Sequence, residues 1–145
     1  MQQQPLKRRV WRPLEKWLIN RPVRALLRLG IAPSAFALLE TTGRRSGRLR
    51  LTPVGNGLDG SVFWLVAIDR RCDYLKNLVA DSHVRVKVRR RWYRGVATVV
   101  ADDDAWVRRR SVDRVNGLLG RIDGAAFRAG AGEPVTVRVD LRELD

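Results

Sequence analysis

Apolar and polar residues alternate most regularly in HVRVKVRR, where Val84, Val86 and Val88 interleave with Arg85, Lys87 and Arg89. A period of two puts the valines on one face of a strand and the cations on the other. The pattern recurs in Pro134–Leu141, with Val135, Val137, Val139 and Leu141 on one side. Ser61–Ile68 (SVFWLVAI) is an unbroken apolar run, which predicts a central strand buried on both faces. Asp59-Gly60 just before it is a hairpin signal. Ala37–Thr42 and Leu49–Val54 read as two strands around the cationic turn Arg44–Gly47. Arg90 and Arg91 turn the chain into a further strand, Trp92–Val100.

Helical spacing appears first at Leu14, Trp17 and Leu18, after Pro13. Pro22 begins a second helix or kinks the first, and Gly30 is a stop. Asp73 is the expected N-cap of a short helix, Tyr74–Ala80. Asp102, Asp103 and Asp104 bring negative charge to the start of another helix, ending near Asn116-Gly117. Residues 117–132 are glycine-rich without clear periodicity.

The tally is about six strands, an N-terminal helix and two inserted helices, a mainly β chain with helices (α+β). Hairpins dominate, so the sheet is expected to be antiparallel. Six such strands in 145 residues suggest a small closed or split barrel, because closure removes exposed edges. The organisation is a basic helical segment, 1–30, and a single barrel domain, 31–145.

Charge narrows the function. The chain has 29 basic residues, 25 of them arginine, against 15 acidic ones, for a net charge of +14. Such a chain attracts phosphate, carboxylate chains, anionic lipid or nucleic acid. No charge-free stretch approaches the roughly 20 apolar residues of a membrane span, and no apolar run near the start acts as a secretory signal. The expected location is therefore cytoplasmic, with association at the inner membrane face as an option. One cysteine, Cys72, and one histidine, His83, leave no disulfide framework and no metal centre. A nucleophilic triad would need His83, which sits in strand-like sequence and reads as a hydrogen-bonded strand-end residue. An enzyme of this composition leaves the chemistry to a cofactor.

Two constellations suit an anionic cofactor. In Thr41-Thr42-Gly43-Arg44-Arg45-Ser46-Gly47-Arg48-Leu49-Arg50, glycines let the backbone approach a ligand. The arginines offer planar forks for phosphate or carboxylate, and Thr42 and Ser46 add hydroxyls. This is not a P-loop, since a strand follows it. The bland alternative is a solvated hairpin turn. The second constellation runs from Ile68 to Leu78, with Arg70 and Arg71 in a loop before the short helix, whose N-terminus would add N–H groups for an anion. Cys72 reads either as an incidental loop residue or as a thiol whose thiolate the flanking arginines favour. The face of Arg85, Lys87 and Arg89, extended by Arg90, Arg91 and Arg94 with Trp92 and Tyr93 interleaved, reads as a solvated surface, a polyanion track, a membrane contact or a single-strand binding face.

The run LLETTGRRSGRLRLTPV, followed by a buried strand and then DYLKNL, resembles the deazaflavin-dependent nitroreductase family over roughly residues 36–100. These are F420-dependent oxidoreductases of actinobacteria with the split β-barrel shared by flavin mononucleotide-binding proteins. The resemblance implies that Arg44, Arg45, Ser46 and Arg50, with Thr42, Gly43 and Gly47, hold the anionic tail of coenzyme F420. It also implies that Thr52, Pro53, Ala67 and Ile68 lie beside the deazaflavin ring. Arg70 and Arg71 fall in the family's phosphate loop, here shortened. Tyr74 and Asn77 match its aromatic-x-x-Asn helix, with Tyr74 at the substrate side as a candidate proton donor. The function implied is hydride transfer from reduced F420 to an electron-poor quinone, nitro or conjugated compound, with flavin mononucleotide as the less favoured cofactor. The rival readings are a non-catalytic binder of a lipid or other hydrophobic anion and a basic membrane-surface protein. No nucleic-acid module is recognisable, and both a monomer and a homodimer fit.

Overall fold

Residue 85 on one strand faces residue 40 on another, and that pairing shows how the sheet is assembled. In a computed structural model, which describes residues 35–143, β1 (Phe36–Thr42) lies between β2 (Leu49–Gly55) and β5 (His83–Val88), antiparallel to both. The remaining strands are β3 (Leu58–Asp59), β4 (Val62–Ala67), β6 (Arg91–Val100) and β7 (Val135–Glu143). All seven form one sheet in the order β2-β1-β5-β6-β7-β4-β3, and every pairing is antiparallel. The two edge strands, β2 and β3, are joined by Asn56 and Gly57 alone. The sheet must therefore curl until its edges meet, which is the geometry of a split barrel. Gly57 makes the closure possible: a Cβ there would run into the backbone carbonyl of Trp64, whose N–H donates to the Gly57 carbonyl at 2.9 Å.

The barrel interior collects the period-two faces. Ala37 and Leu39, Phe63 and Leu65, Val84, Val86 and Val88, Ala97, and Val137, Val139 and Leu141 form one buried cluster, closed at one side by Leu75 and Leu78 of α1 (Asp73–Ala80). Each such side chain contributes about 1.5–3 kcal/mol by leaving water. A second, smaller core joins Val66 to Ala105 of α2 (Ala105–Val115) and Phe127 of α3 (Gly117–Gly130).

The architecture is the expected split barrel, with several local corrections. There are seven strands, the additional one being the two-residue β3 of the hairpin that turns at Gly60, where φ is 60°. β4 is not central in the sheet. It lies next to the edge, between β7 and β3, and its apolar outer face is explained by the second core. The glycine-rich stretch 117–132 is largely the helix α3. Its Gly120 and Gly124 lie against Asp113 of α2, where a Cβ would collide. The glycines that weaken the helical signal are thus what let α2 and α3 cross closely. Three helices, not two, interrupt the described strands. Cys72, not Asp73, is the N-cap of α1, and no side chain caps that end. Asp104 does cap α2, accepting from the N–H groups of Trp106 and Val107. The helices expected within 1–30 lie outside the described residues.

Candidate functional site

The cationic turn is held by a helix. After β1 the chain folds back at Gly43–Gly47, where the Gly43 N–H donates to the Arg48 carbonyl at 2.7 Å and Gly47 has φ 69°. Arg44 leaves this turn toward α1. Its backbone N–H and its Nη1 both donate to Asn77 Oδ1, at 3.2 and 2.9 Å. Asn77 is buried and its Nδ2 donates to Thr41 Oγ1 at 3.4 Å. Asp73 lies 3.6 Å from the same guanidinium. The two constellations of the sequence are therefore one structure, hinged on Asn77.

This arrangement divides the arginines. Arg44 is a structural clamp with a side chain only 25% exposed. Arg45, Arg48 and Arg50 are exposed and have no acidic partner among the described residues. Ser46 Oγ accepts from the Arg48 N–H at 3.2 Å, which stiffens the turn. Arg70 and Arg71 are exposed on the loop before α1 and spend contacts on Glu133, at 3.2 Å, and Asp69, at 3.5 Å.

β2 carries the chain from Arg50 to Pro53, about 10 Å away at strand rise, where a cleft of 180 Å³ opens. Among the described residues its wall is mostly apolar, with Phe36, Pro53, Trp64, Ile68 and Phe127, and its polar groups are Tyr74, Arg109 and Asp123. Pro53 and Ile68, expected beside a ring, and Tyr74, expected at the substrate side, all line this cleft. Ala67, between the lining residues Val66 and Ile68, is itself fully buried in the barrel core and is not part of this lining. Thr52 is half-buried on β2, paired with Leu39, and Thr42 is half-buried at the end of β1.

The titratable groups around the cleft are perturbed by burial. Tyr74 is packed on the core, and desolvation pushes its phenol well above the usual tyrosine range, against a smaller downward pull from the Arg109 charge. Cys72 is a half-buried thiol, likewise pushed up by burial. This corrects the thiolate reading, because desolvation outweighs the attraction of nearby cations. Asp113 is buried, and its carboxyl is raised by desolvation despite the adjacent Arg109.

The basic strand face is also reorganised. Arg85 makes a bidentate pair with buried Glu40, at 2.7 and 2.9 Å, and stacks 4.7 Å from the centre of the Trp92 ring. Lys87 sits 5.8 Å above the same ring. Arg89 has left the strand for the turn, with φ 58°. The continuous cation row expected from alternation is therefore broken by a cross-strand carboxylate and a hairpin. His83 begins β5, exposed, with Nδ1 at 3.1 Å from Asp81 Oδ1, as a hydrogen-bonded strand-end residue.

Sequence reasoning missed Arg109, Asp123 and Trp64 in the cleft. The i,i+4 spacing of Arg109 and Asp113 was visible as a helical ion pair, but nothing local shows that α3 closes over it.

The fold is a split barrel with a glycine–arginine turn clamped to a helix and a mostly apolar cleft one strand away. The model of the F420H(2)-dependent quinone reductase family matches residues 23–141, and the chain belongs to that family. It is an F420-dependent reductase. No curated protein gives a match. Among solved structures, an F420-H2 dependent reductase (FDR-A) is 18% identical with TM-score 0.52, over 72% of this chain and 93% of that one. An F420 reductase is 16% identical with TM-score 0.52, over 84% and 94%. A conserved hypothetical protein from Mycobacterium tuberculosis is 20% identical with TM-score 0.55, over 84% and 81%. These likenesses bear on the fold. The residues fit coenzyme F420 by their chemistry: the guanidinium groups of Arg45, Arg48 and Arg50 have no acidic partner among the described residues, which suits a phosphate and carboxylate tail, and the described cleft wall is mostly apolar, which suits a ring.

Proposed function

We propose that this reductase acts on an electron-poor small molecule, a quinone, nitro or conjugated compound, bound in the cleft beside Tyr74. When bound, reduced F420 supplies the hydride. The protein supplies position and charge. Arg45 and Arg50, with Arg48, attract the anionic tail, while the backbone of Gly43, Ser46 and Gly47 shapes the turn that receives it. Arg44 and Asn77 hold that turn in place, and Thr42 lies at its start. Thr52, Pro53 and Ile68 flank the ring, and Arg70 and Arg71 extend the basic field around the phosphate. Tyr74, kept protonated by burial, donates a hydrogen bond to the acceptor and is the proton donor on that side. The observation that carries this reading is the continuity of β2, which begins beside arginines without an acidic partner among the described residues and ends at the mostly apolar cleft.

The test is direct. Full-length protein is mixed with F420, passed through a desalting column and read by absorbance; co-elution is expected. Fluorescence titration should show tighter binding of F420 than of flavin mononucleotide, because a longer anionic tail meets more guanidinium groups. Equal or tighter binding of flavin mononucleotide refutes this. Failure of F420 to co-elute favours the non-catalytic binder of a hydrophobic anion, since the 69–72 loop is short.

A second reading, peripheral contact with an anionic membrane at its inner face, is favoured by one observation. Val115, Leu118 and Ile122 are 81%, 73% and 59% exposed on the α2–α3 pair, beside Arg114 and Arg121. Co-sedimentation with phosphatidylglycerol vesicles, released by salt, tests it. No helix among the described residues is long and apolar enough to cross a membrane.

A further inference from the structure

The geometry points to Arg109 as the residue that binds the acceptor's carbonyl or nitro oxygen. This rests on the cleft being the acceptor site. Arg109 projects from α2 into the cleft wall and is 9% exposed, an unusual place for a cation. Its Nε donates to Asp113 Oδ2 at 3.1 Å, and its Nη2 donates to Asp123. Its Cζ lies 4.4 Å from the centre of the Phe127 ring. The group is thus fixed from three sides: by its own helix, by α3, and by an aromatic face.

Nη1 is different. No acceptor among the described residues takes its hydrogens, and it is directed at Gly55, where an added Cβ would come no closer than 4.0 Å to it. Gly55 therefore leaves room beside this nitrogen, whose hydrogens no described residue accepts. Asp113 and Asp123 neutralise the cation enough for burial, yet their placement on Nε and Nη2 reserves Nη1 for something else. Apart from Tyr74 and Asp123 the rest of the described wall is apolar, so the fitting ligand is a mostly apolar molecule with an oxygen at one end. When a conjugated carbonyl accepts a hydride, two electrons enter and the carbonyl π pair moves onto its oxygen, which then takes a proton. A fixed cation at that oxygen is most useful when the charge develops. Tyr74 lines the same cleft as this guanidinium, so both donors face the bound acceptor.

The experiment uses duroquinone, whose fully substituted ring leaves Cys72 no position to alkylate. Quenching of tryptophan fluorescence in the full-length protein, with and without oxidised F420, gives its affinity. F420 affinity is measured separately. Arg109→Lys keeps the charge for Asp113 and Asp123 but removes Nη1; duroquinone affinity should fall about tenfold or more, the worth of one charge-assisted hydrogen bond. F420 affinity should stay within about twofold. Gly55→Ala adds one methyl group beside Nη1 and leaves the ion pair intact. Its Cβ meets Val112 Cγ1 at 3.7 Å, Asp123 Oδ2 at 3.9 Å and Nη1 at 4.0 Å, all ordinary contacts, so the fold should hold while duroquinone affinity falls. Unchanged duroquinone binding in either folded variant overturns the inference, as does wild-type protein that binds no duroquinone in either state. Loss of F420 affinity alone in Arg109→Lys also overturns it, placing Arg109 at the cofactor. Wild-type protein that fails to bind F420 is a failure of the functional reading instead.

Discussion

Asn77→Ala should both destabilise the domain and loosen the cofactor turn. Asn77 Oδ1 receives two donors, the Arg44 backbone N–H and Nη1, while its Nδ2 reaches Thr41. The contact with the guanidinium is charge-assisted, worth about 1.5–3 kcal/mol, and the neutral ones about 1 kcal/mol each. Water entering the vacated space restores part of this, since the Arg44 end is partly exposed. A net loss of about 2–3 kcal/mol remains, which for a domain of this size lowers Tm by roughly 6–12 °C. The assay is a double-mutant cycle with Arg44→Met, followed by thermal denaturation. Because the partners touch, the coupling should be about 1–2 kcal/mol. F420 affinity should fall in both single variants, although neither side chain need touch the tail, because Arg45 and Arg50 lose their fixed platform. Additive stability losses, with no coupling, would show that the turn stands without its clamp and would refute the argument.

Arg45→Ser and Arg50→Ser should each weaken F420 binding about two- to fivefold at low salt, and less in high salt where the wild type is itself screened; melting temperature should not move. Arg89→Gly should stabilise the protein by about 0.5–1 kcal/mol in a urea titration, because Arg89 occupies the left-handed region at φ 58° where glycine is unstrained. Gly57→Ala should abolish soluble folded protein, since the added carbon meets the Trp64 backbone and the barrel edges cannot close. Cys72 should react with iodoacetamide at pH 8 more slowly than a free thiol, its rate rising only at higher pH, because burial raises its pKa. Asp103 has its pKa lowered by the hydrogen bond from Arg108. Its stabilising contribution is therefore complete above the ordinary value of 3.8 and is lost as pH falls through the depressed folded value. The stability difference between wild type and Asp103→Asn should disappear in acid.

The sequence by itself determined what depends on local periodicity and local chemistry. Alternating valines place β5 and β7, because a pleated strand sorts its side chains by parity. Glycines bracket the cationic turn, and Asp102, Asp103 and Asp104 mark the start of α2, because both are short-range effects. The string LLETTGRRSGRLRLTPV carried a family resemblance, which is likewise a property of neighbouring residues. Only the tertiary structure decided what depends on residues far apart in the chain. Glu40 neutralises Arg85 across a register that alternation cannot reveal, so a face that looked like an open polyanion track is partly closed on itself. Asn77 turns two separate constellations into one clamp across more than thirty residues. The glycines of α3 look like helix breakers in one dimension; in three they are the contact surface that lets Asp113 and Arg109 be buried between two helices. Burial then sets the chemistry, raising Tyr74 and Cys72 and fixing Arg109 at the cleft, because desolvation is a property of the packed neighbourhood and not of any residue's place in the sequence.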